Sequence, residues 1–129
     1  MFQTKRLPAR PDVVAPDGSD VRVLLGLDGG TMAHFELAPG RVSLAVVHRT
    51  VEEIWYIVGG RGEMWREQGG REETVALAPG DCLTIPLGAR FQFRSFGPDA
   101  LAAVAVTMPP WPGDGEASVV EGRWVPSER

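Results

Sequence analysis

The chain has 129 residues, of which 43% are hydrophobic and 23% charged, and its formal net charge is -4 at pH 7. This length supports one compact domain with a core and is too short for two, so we look for one site. The chain lacks the surplus of basic residues that nucleic acid or an anionic membrane selects, so neither is an expected partner. Cys82 is the only cysteine, and the first residues contain no apolar stretch typical of a signal peptide or membrane span. A reducing cytoplasm is the expected compartment.

Turns recur at short spacing along the chain, in sequences such as LDGG, APGR and APGD. They separate segments that are too short for typical helices and that are mostly β-branched, aromatic or alternating, as strands are. In chain order these segments are VRVLLGL, TMAHFEL, VSLAVVH, EIWYIV, EMWRE, TVALA, CLTIPL, FQFRSF and ALAAVAVTM. The pattern predicts an all-β protein of about eight or nine strands, packed as a sandwich or a closed barrel.

The last of these segments, ALAAVAVTM, contains enough alanine to suggest a short helix. Its position after a GPD turn and its closing valines favour a strand. We therefore predict that it is the final strand of the sheet.

The two ends of the chain are proline-rich and irregular, which is typical of extended arms. We expect a single domain over residues 1–129, with a core barrel over about residues 20–108 and an arm at each end. The C-terminal arm contains Trp111 and Trp124, and tryptophans need a surface to cover. The arms would close the barrel end or cross to a second subunit, and a homodimer is the expected assembly.

The middle of the chain resembles the two sequence motifs of the cupin family. Gly40, His48, Glu53 and Gly60 match the first motif, G-x5-H-x-H-x4-E-x6-G, with Val46 in place of its first histidine. The resemblance implies a double-stranded β-helix, which is a jelly-roll barrel whose open mouth receives a small molecule, often beside a metal.

The second cupin motif, G-x5-P-x-G-x2-H-x3-N, is similar to the segment that starts at Gly80 and includes Pro86 and Gly88. Phe91 stands in place of its histidine and Ser95 in place of its asparagine. The resemblance therefore implies a small single-domain cupin in which half of the family's metal-ligand set is replaced.

The metal question depends on which side chains share a face. A transition metal such as Fe, Mn, Ni or Zn needs three or four ligands, and His48 with Glu53 supplies two. His34 would add a third if its face of TMAHFEL pointed inward, but the opposite face, with Phe35 and Leu37, is more apolar and predicts that His34 lies outside. No cofactor is the first expectation, and a metal bound by His48, Glu53 and His34 is the alternative.

Two interpretations need no metal. In the first, Glu53 orients the His48 imidazole, which removes a proton α to a carbonyl, as in an isomerase or lyase. Some cupin-fold sugar epimerases are similar in pairing a histidine base with a tyrosine acid, but Tyr56 alternates to the face opposite Glu53.

In the second interpretation the barrel binds or senses a ligand without chemistry. Trp55, Phe91 and Phe93 would line an apolar pocket, and His48 with an arginine such as Arg41 would orient the polar end of the ligand. The competing structural explanation is that these rings fill a narrow barrel. The function we predict is a barrel that binds a small organic molecule, as a metal-independent isomerase or lyase. The alternatives are a metal-dependent oxygenase or isomerase and a non-catalytic sensor.

Overall fold

The structure is a computed structural model that describes residues 2–127. The described residues form the strands β1 Val13–Val14, β2 Asp20–Leu27, β3 Gly30–Leu37, β4 Ala45–His48, β5 Glu52–Gly59, β6 Gly62–Gln68, β7 Arg71–Leu77, β8 Cys82–Ile85, β9 Arg90–Ser95, β10 Leu101–Met108 and β11 Ala117–Val120. Within this range we find no helix that is long and apolar enough to cross a membrane.

The strands form two antiparallel sheets. One sheet has the order β1-β2-β3-β10-β5-β8, and the other has the order β11-β4-β9-β6-β7. Their apolar faces meet to form the core of a jelly roll, which confirms the predicted all-β fold. Each of the nine predicted segments contains a strand, including ALAAVAVTM. The prediction that ALAAVAVTM is the final strand is wrong, because β11 follows it. The two strands that were not predicted, β1 and β11, lie at sheet edges.

The alanines of β10 have a packing role. The inward residues Ala103 and Ala105 are buried, and β10 lies between β3 and β5 in the sheet. These small side chains leave room above β10 for Phe35 and Trp55, whose rings stack with centroids 5.4 Å apart. Trp55 also meets Phe93 of the facing sheet edge-on at 5.1 Å, so one aromatic cluster joins the two sheets.

The N-terminal arm packs on the outside of the six-stranded sheet. The Arg22 guanidinium donates hydrogen bonds to the carbonyl oxygens of Pro8 and Ala9. The main-chain N–H of Val23 donates to the Asp12 carboxylate at 2.7 Å. The arm thus contacts its own chain.

The C-terminal arm packs on the outside of the five-stranded sheet, where the buried Gln92 amide secures it. The Gln92 side chain donates to the carbonyl oxygens of Ser43 and Trp124 and accepts from the main-chain N–H groups of Arg123 and Trp124. The Trp124 ring lies against the Arg94 guanidinium, 4.3 Å from ring centroid to Cζ. Trp124 therefore covers a sheet face of its own chain.

Candidate functional site

The site is built around His48, the last residue of β4. Its imidazole is 6% exposed and lies between two aromatic rings, Phe91 at 5.3 Å and Trp111 at 5.4 Å, both edge-on. The His48 Nδ1 atom is buried and has no hydrogen-bond partner. A buried nitrogen without a partner costs folding free energy, and such groups are concentrated where a protein keeps binding capacity for something else.

Glu53, at the start of β5, lies buried on the inner face of the other sheet. Trp55 Nε1 donates to one carboxyl oxygen at 3.0 Å, and Thr107 Oγ1 donates to the other at 2.7 Å. The register makes this possible, because Thr107 of β10 lies directly opposite Glu53 and Trp55 follows on the same face of β5. Among the described residues no hydrogen bond joins His48 to Glu53, whose two oxygens accept from Trp55 and Thr107 instead.

Asp17 adds a second buried carboxyl group, at a position that neither cupin motif includes. It lies in the turn before β2, where its side chain accepts hydrogen bonds from Ser19 N at 2.9 Å and Ser19 Oγ at 2.6 Å. Burial raises the pKa of Asp17, the Ser19 hydrogen bonds lower it, and the charges of Glu53 and His48 act in opposite directions. The net direction is upward, so burial favours the protonated form of the Asp17 carboxyl group.

The raised pKa of Asp17 gives a testable stability effect. A carboxyl group with a raised pKa in the folded state stabilises the fold below its ordinary value of 3.8, and this contribution is lost as the pH rises through the folded pKa. Asp17→Asn keeps an oxygen for Ser19 and cannot ionise. We expect the variant to be more stable than the parent at neutral pH, with the difference shrinking towards about pH 4. Thermal unfolding of both proteins between about pH 4 and neutral pH measures the difference in stability. A difference that does not change with pH would contradict the raised pKa of Asp17.

His34 does not belong to this site. It lies on β3 beside Phe35, whose ring is in the core, so the imidazole points to the outside of the sheet. There His34 Nδ1 is 3.7 Å from Glu36 Oε1, which also binds Arg22. Burial lowers the pKa of His34, although the Glu36 charge opposes that shift.

A transition metal does not fit these residues. Val46 and Phe91 replace two motif donors with apolar side chains, and His34 faces away. In the part of the chain that the structure describes, no three His, Cys, Asp or Glu side chains come close enough to bind a metal ion. His48 and Glu53 alone are too few ligands for such an ion.

The predicted pocket residues divide into two groups. Trp55, Phe91 and Phe93 are at most 2% exposed, and the Trp55 ring contacts both phenylalanine rings edge-on. These rings form the apolar wall behind His48. Arg41 is exposed in the turn before β4, at the other end of that strand from His48, so the structure does not bring it to the site.

Three residues of the site lie outside the motif positions: Asp17, Thr107 and Trp111. The sequence pattern does indicate Thr107, because alternation with the inward Ala103 and Ala105 places it on the inner face of β10. The indication for Asp17 is weaker: Asp-Gly-Ser is typical of a turn in which the aspartate side chain accepts a hydrogen bond from the main-chain N–H two residues later. Nothing in the local sequence indicates that Trp111 folds back onto His48.

Comparison with known proteins agrees with this architecture. A sequence model of the family described as "Cupin domain" matches residues 33–107, which is more than half of the chain. The chain belongs to the cupin family. No curated protein matches this cupin.

Solved structures show the same fold at low sequence identity. A conserved double-stranded β-helix protein from Klebsiella pneumoniae is 21% identical, with a TM-score of 0.66 over 84% of this cupin and 91% of that chain. Streptomyces PAC13, solved as a variant with uridine, is 15% identical, with a TM-score of 0.70 over 92% of both chains. The Bacillus subtilis oxalate decarboxylase, which has Mn(II) centres, is 15% identical, with a TM-score of 0.71 over 86% of this cupin and 30% of that chain. At these identities the likeness is one of fold.

Proposed function

We propose that this cupin binds a small organic molecule at the His48 end of the barrel and acts on it as a metal-independent isomerase or lyase. The observation that carries the proposal is the buried His48 Nδ1 without a partner, in a barrel that also buries the Glu53 carboxyl group and, within electrostatic range of both residues, the Asp17 carboxyl group. An imidazole nitrogen that is buried and has no internal hydrogen bond is suited to exchange a proton with a bound ligand.

The three ionisable residues have separate roles in this proposal. His48 takes the proton from the carbon next to a carbonyl group, and the carbonyl oxygen receives the electron pair as an enolate. Asp17, whose pKa is raised chiefly by burial, supplies the proton that the enolate oxygen needs. Glu53 is a positioning residue that fixes Trp55 and Thr107. Tyr56 is half-exposed on the outer face and has no part in the reaction.

Deuterium exchange tests the proposal on many carbonyl compounds at once. A panel of small aldehydes, ketones and reducing sugars is incubated with the protein in D2O, and loss of the α-proton signal is followed by ¹H NMR. We expect exchange with at least one compound and a loss of about 100-fold in His48→Gln. His34→Gln is the matched control, because it removes the other histidine, which lies on the outer face of the six-stranded sheet.

Two outcomes separate the alternatives. Ligand binding that needs His48 but produces no exchange would favour the non-catalytic sensor. If chelators abolish the exchange and added Mn(II) or Fe(II) restores it, the result would favour the metal-dependent oxygenase or isomerase. Exchange that is equal in His48→Gln and in the parent would contradict the role of His48.

The homodimer stays a prediction, and we propose the outer face of the six-stranded sheet as its interface. Ile54, Tyr56, Val58 and Met32 are 41–50% exposed on that face, and a contiguous apolar surface is typical of interaction sites. We expect a dimer in sedimentation velocity and a monomer for Ile54→Lys. Val119→Lys, on the other sheet, should leave the dimer intact, and a monomeric parent would contradict the proposal.

A further inference from the structure

Trp111 and Phe91 enclose the His48 imidazole in nearly the same geometry. Their ring planes meet the imidazole plane at 77° and 73°, with almost equal centroid distances. The two rings differ in burial, because Phe91 is 1% exposed and belongs to the core whereas Trp111 is 36% exposed. Of the two, Trp111 is therefore the ring that can leave His48 without opening the core.

The main chain around Trp111 also indicates that this ring, and not Phe91, is the one that can move. The ring is carried by the segment 109–116 between β10 and β11, and the Trp111 main chain makes one hydrogen bond, to Thr31 Oγ1 at 3.1 Å. Gly113 and Gly115, which follow in the same segment, have positive φ and open space around them. Pro110 and Pro112 restrict the main chain on either side of Trp111, so a change of conformation in this segment takes place at Gly113 and Gly115.

The charges around His48 restrict what can replace the ring. Asp17 and Glu53 are both acidic, and every lysine and arginine among residues 2–127 is at least partly exposed. Arg66 does face inward opposite Phe91, but its guanidinium binds Glu73 and the carbonyl oxygen of Thr84, each at 2.8 Å. A carboxylate or phosphate at His48 would meet the buried acidic side chain of Glu53, whereas Arg49, the next residue in the chain, is exposed to solvent, so anionic ligands are disfavoured.

We infer that Trp111 closes the His48 site and that the ligand is a planar, uncharged ring compound that takes the place of the indole against the imidazole. This inference rests on the proposed function, because it names the ligand class for the same site. The Trp111 indole contacts the imidazole edge-on, so another planar unsaturated ring can make the same contact in its place, and the unpartnered His48 Nδ1 would bind a polar group on that ring.

The test uses indole as the planar, uncharged probe, indole-3-acetate as its anionic counterpart and cyclohexanol as an uncharged ring that is not planar. Binding is followed by NMR through the ring signals of the two histidines, so that His34 serves as an internal reference on the other face. We expect indole to shift the His48 signals and leave those of His34 unchanged. Indole-3-acetate and cyclohexanol should each bind at least about tenfold more weakly.

Variants of the arm test the closure itself. Trp111→Ala should bind indole about tenfold more tightly than the parent, because the probe no longer has to displace the side chain. Trp111→Phe, which keeps a ring over His48, should stay near the parent. Trp124→Ala is the matched control, because it removes the other tryptophan of the arm from a sheet face where it contacts Arg94.

Each result has a definite meaning. Equal indole affinity in Trp111→Ala and the parent would overturn the closure, and equal affinity for indole and indole-3-acetate would overturn the charge selection. Either result would leave the proposed function standing if deuterium exchange still needs His48. Failure of every probe to shift His48, even in a correctly folded Trp111→Ala variant, would overturn the inference and also count against a ligand site at His48.

Discussion

Replacing Gly60 with alanine is expected to cost about 3–5 kcal/mol of unfolding free energy, a large fraction of the stability of a small domain. Gly60 has a φ of +74°, which an L side chain rarely adopts. A Cβ atom added there would lie 2.2 Å from the carbonyl oxygen of Ala100. Because that atom belongs to the main chain leading into β10, the turn between β5 and β6 would have to move away from the sheet.

Gly40→Ala provides a matched control for this prediction. Gly40 is also a motif glycine, its φ of +77° is nearly the same, and an added Cβ would meet no atom within 4 Å. The control therefore carries the conformational cost alone, about 1 kcal/mol. Urea unfolding of the parent and both variants measures the difference. An equal loss of unfolding free energy in the two variants would show that the close approach to Ala100 does not contribute to the effect.

The same two glycines show why sequence predicts this fold well. Turn glycines and two-residue alternation are local signals, and each is visible without knowing what lies across the barrel. The alternation in β5 correctly places Glu53, Trp55 and Ile57 on one buried face. It also indicates that His34 is opposite to Phe35, which the structure confirms.

The site is less predictable because its contacts join distant segments. His48 and Glu53 are five positions apart, yet Glu53 binds Thr107, which is 54 residues away. His48 contacts Trp111 instead of a carboxylate, because the segment after β10 returns across the barrel end. Motif spacing identifies inward positions on single strands, whereas hydrogen-bond partners depend on sheet register and on the paths of the arms.

Glu116→Ala is expected to lower the unfolding free energy by about 3 kcal/mol, because it removes the acceptor of three hydrogen bonds and leaves the buried Val51 N–H without a partner. The Glu116 side chain is 4% exposed and accepts hydrogen bonds from Thr50 N at 2.8 Å, from Thr50 Oγ1 and from Val51 N at 3.1 Å. Those donors belong to the segment between β4 and β5. Glu116→Gln keeps one acceptor oxygen and should lose less. Glu73→Gln is the control, because the Glu73 side chain is 63% exposed and an ion pair with an exposed carboxylate contributes little.

The pH dependence of this loss identifies its cause. Burial alone would raise the pKa of Glu116, but the hydrogen bonds from Thr50 and Val51 outweigh it and hold the pKa below its ordinary value of 4.5. The stabilisation is therefore present above that value and lost as the pH falls through the folded pKa. Urea unfolding should show a parent that exceeds Glu116→Gln in stability at neutral pH, with the gap closing in acid. A gap that persists in acid would mean that Glu116 acts by packing alone. Since the segment from Thr50 to Val51 joins His48 to Glu53, the same charge that stabilises the fold also fixes the spacing of the site.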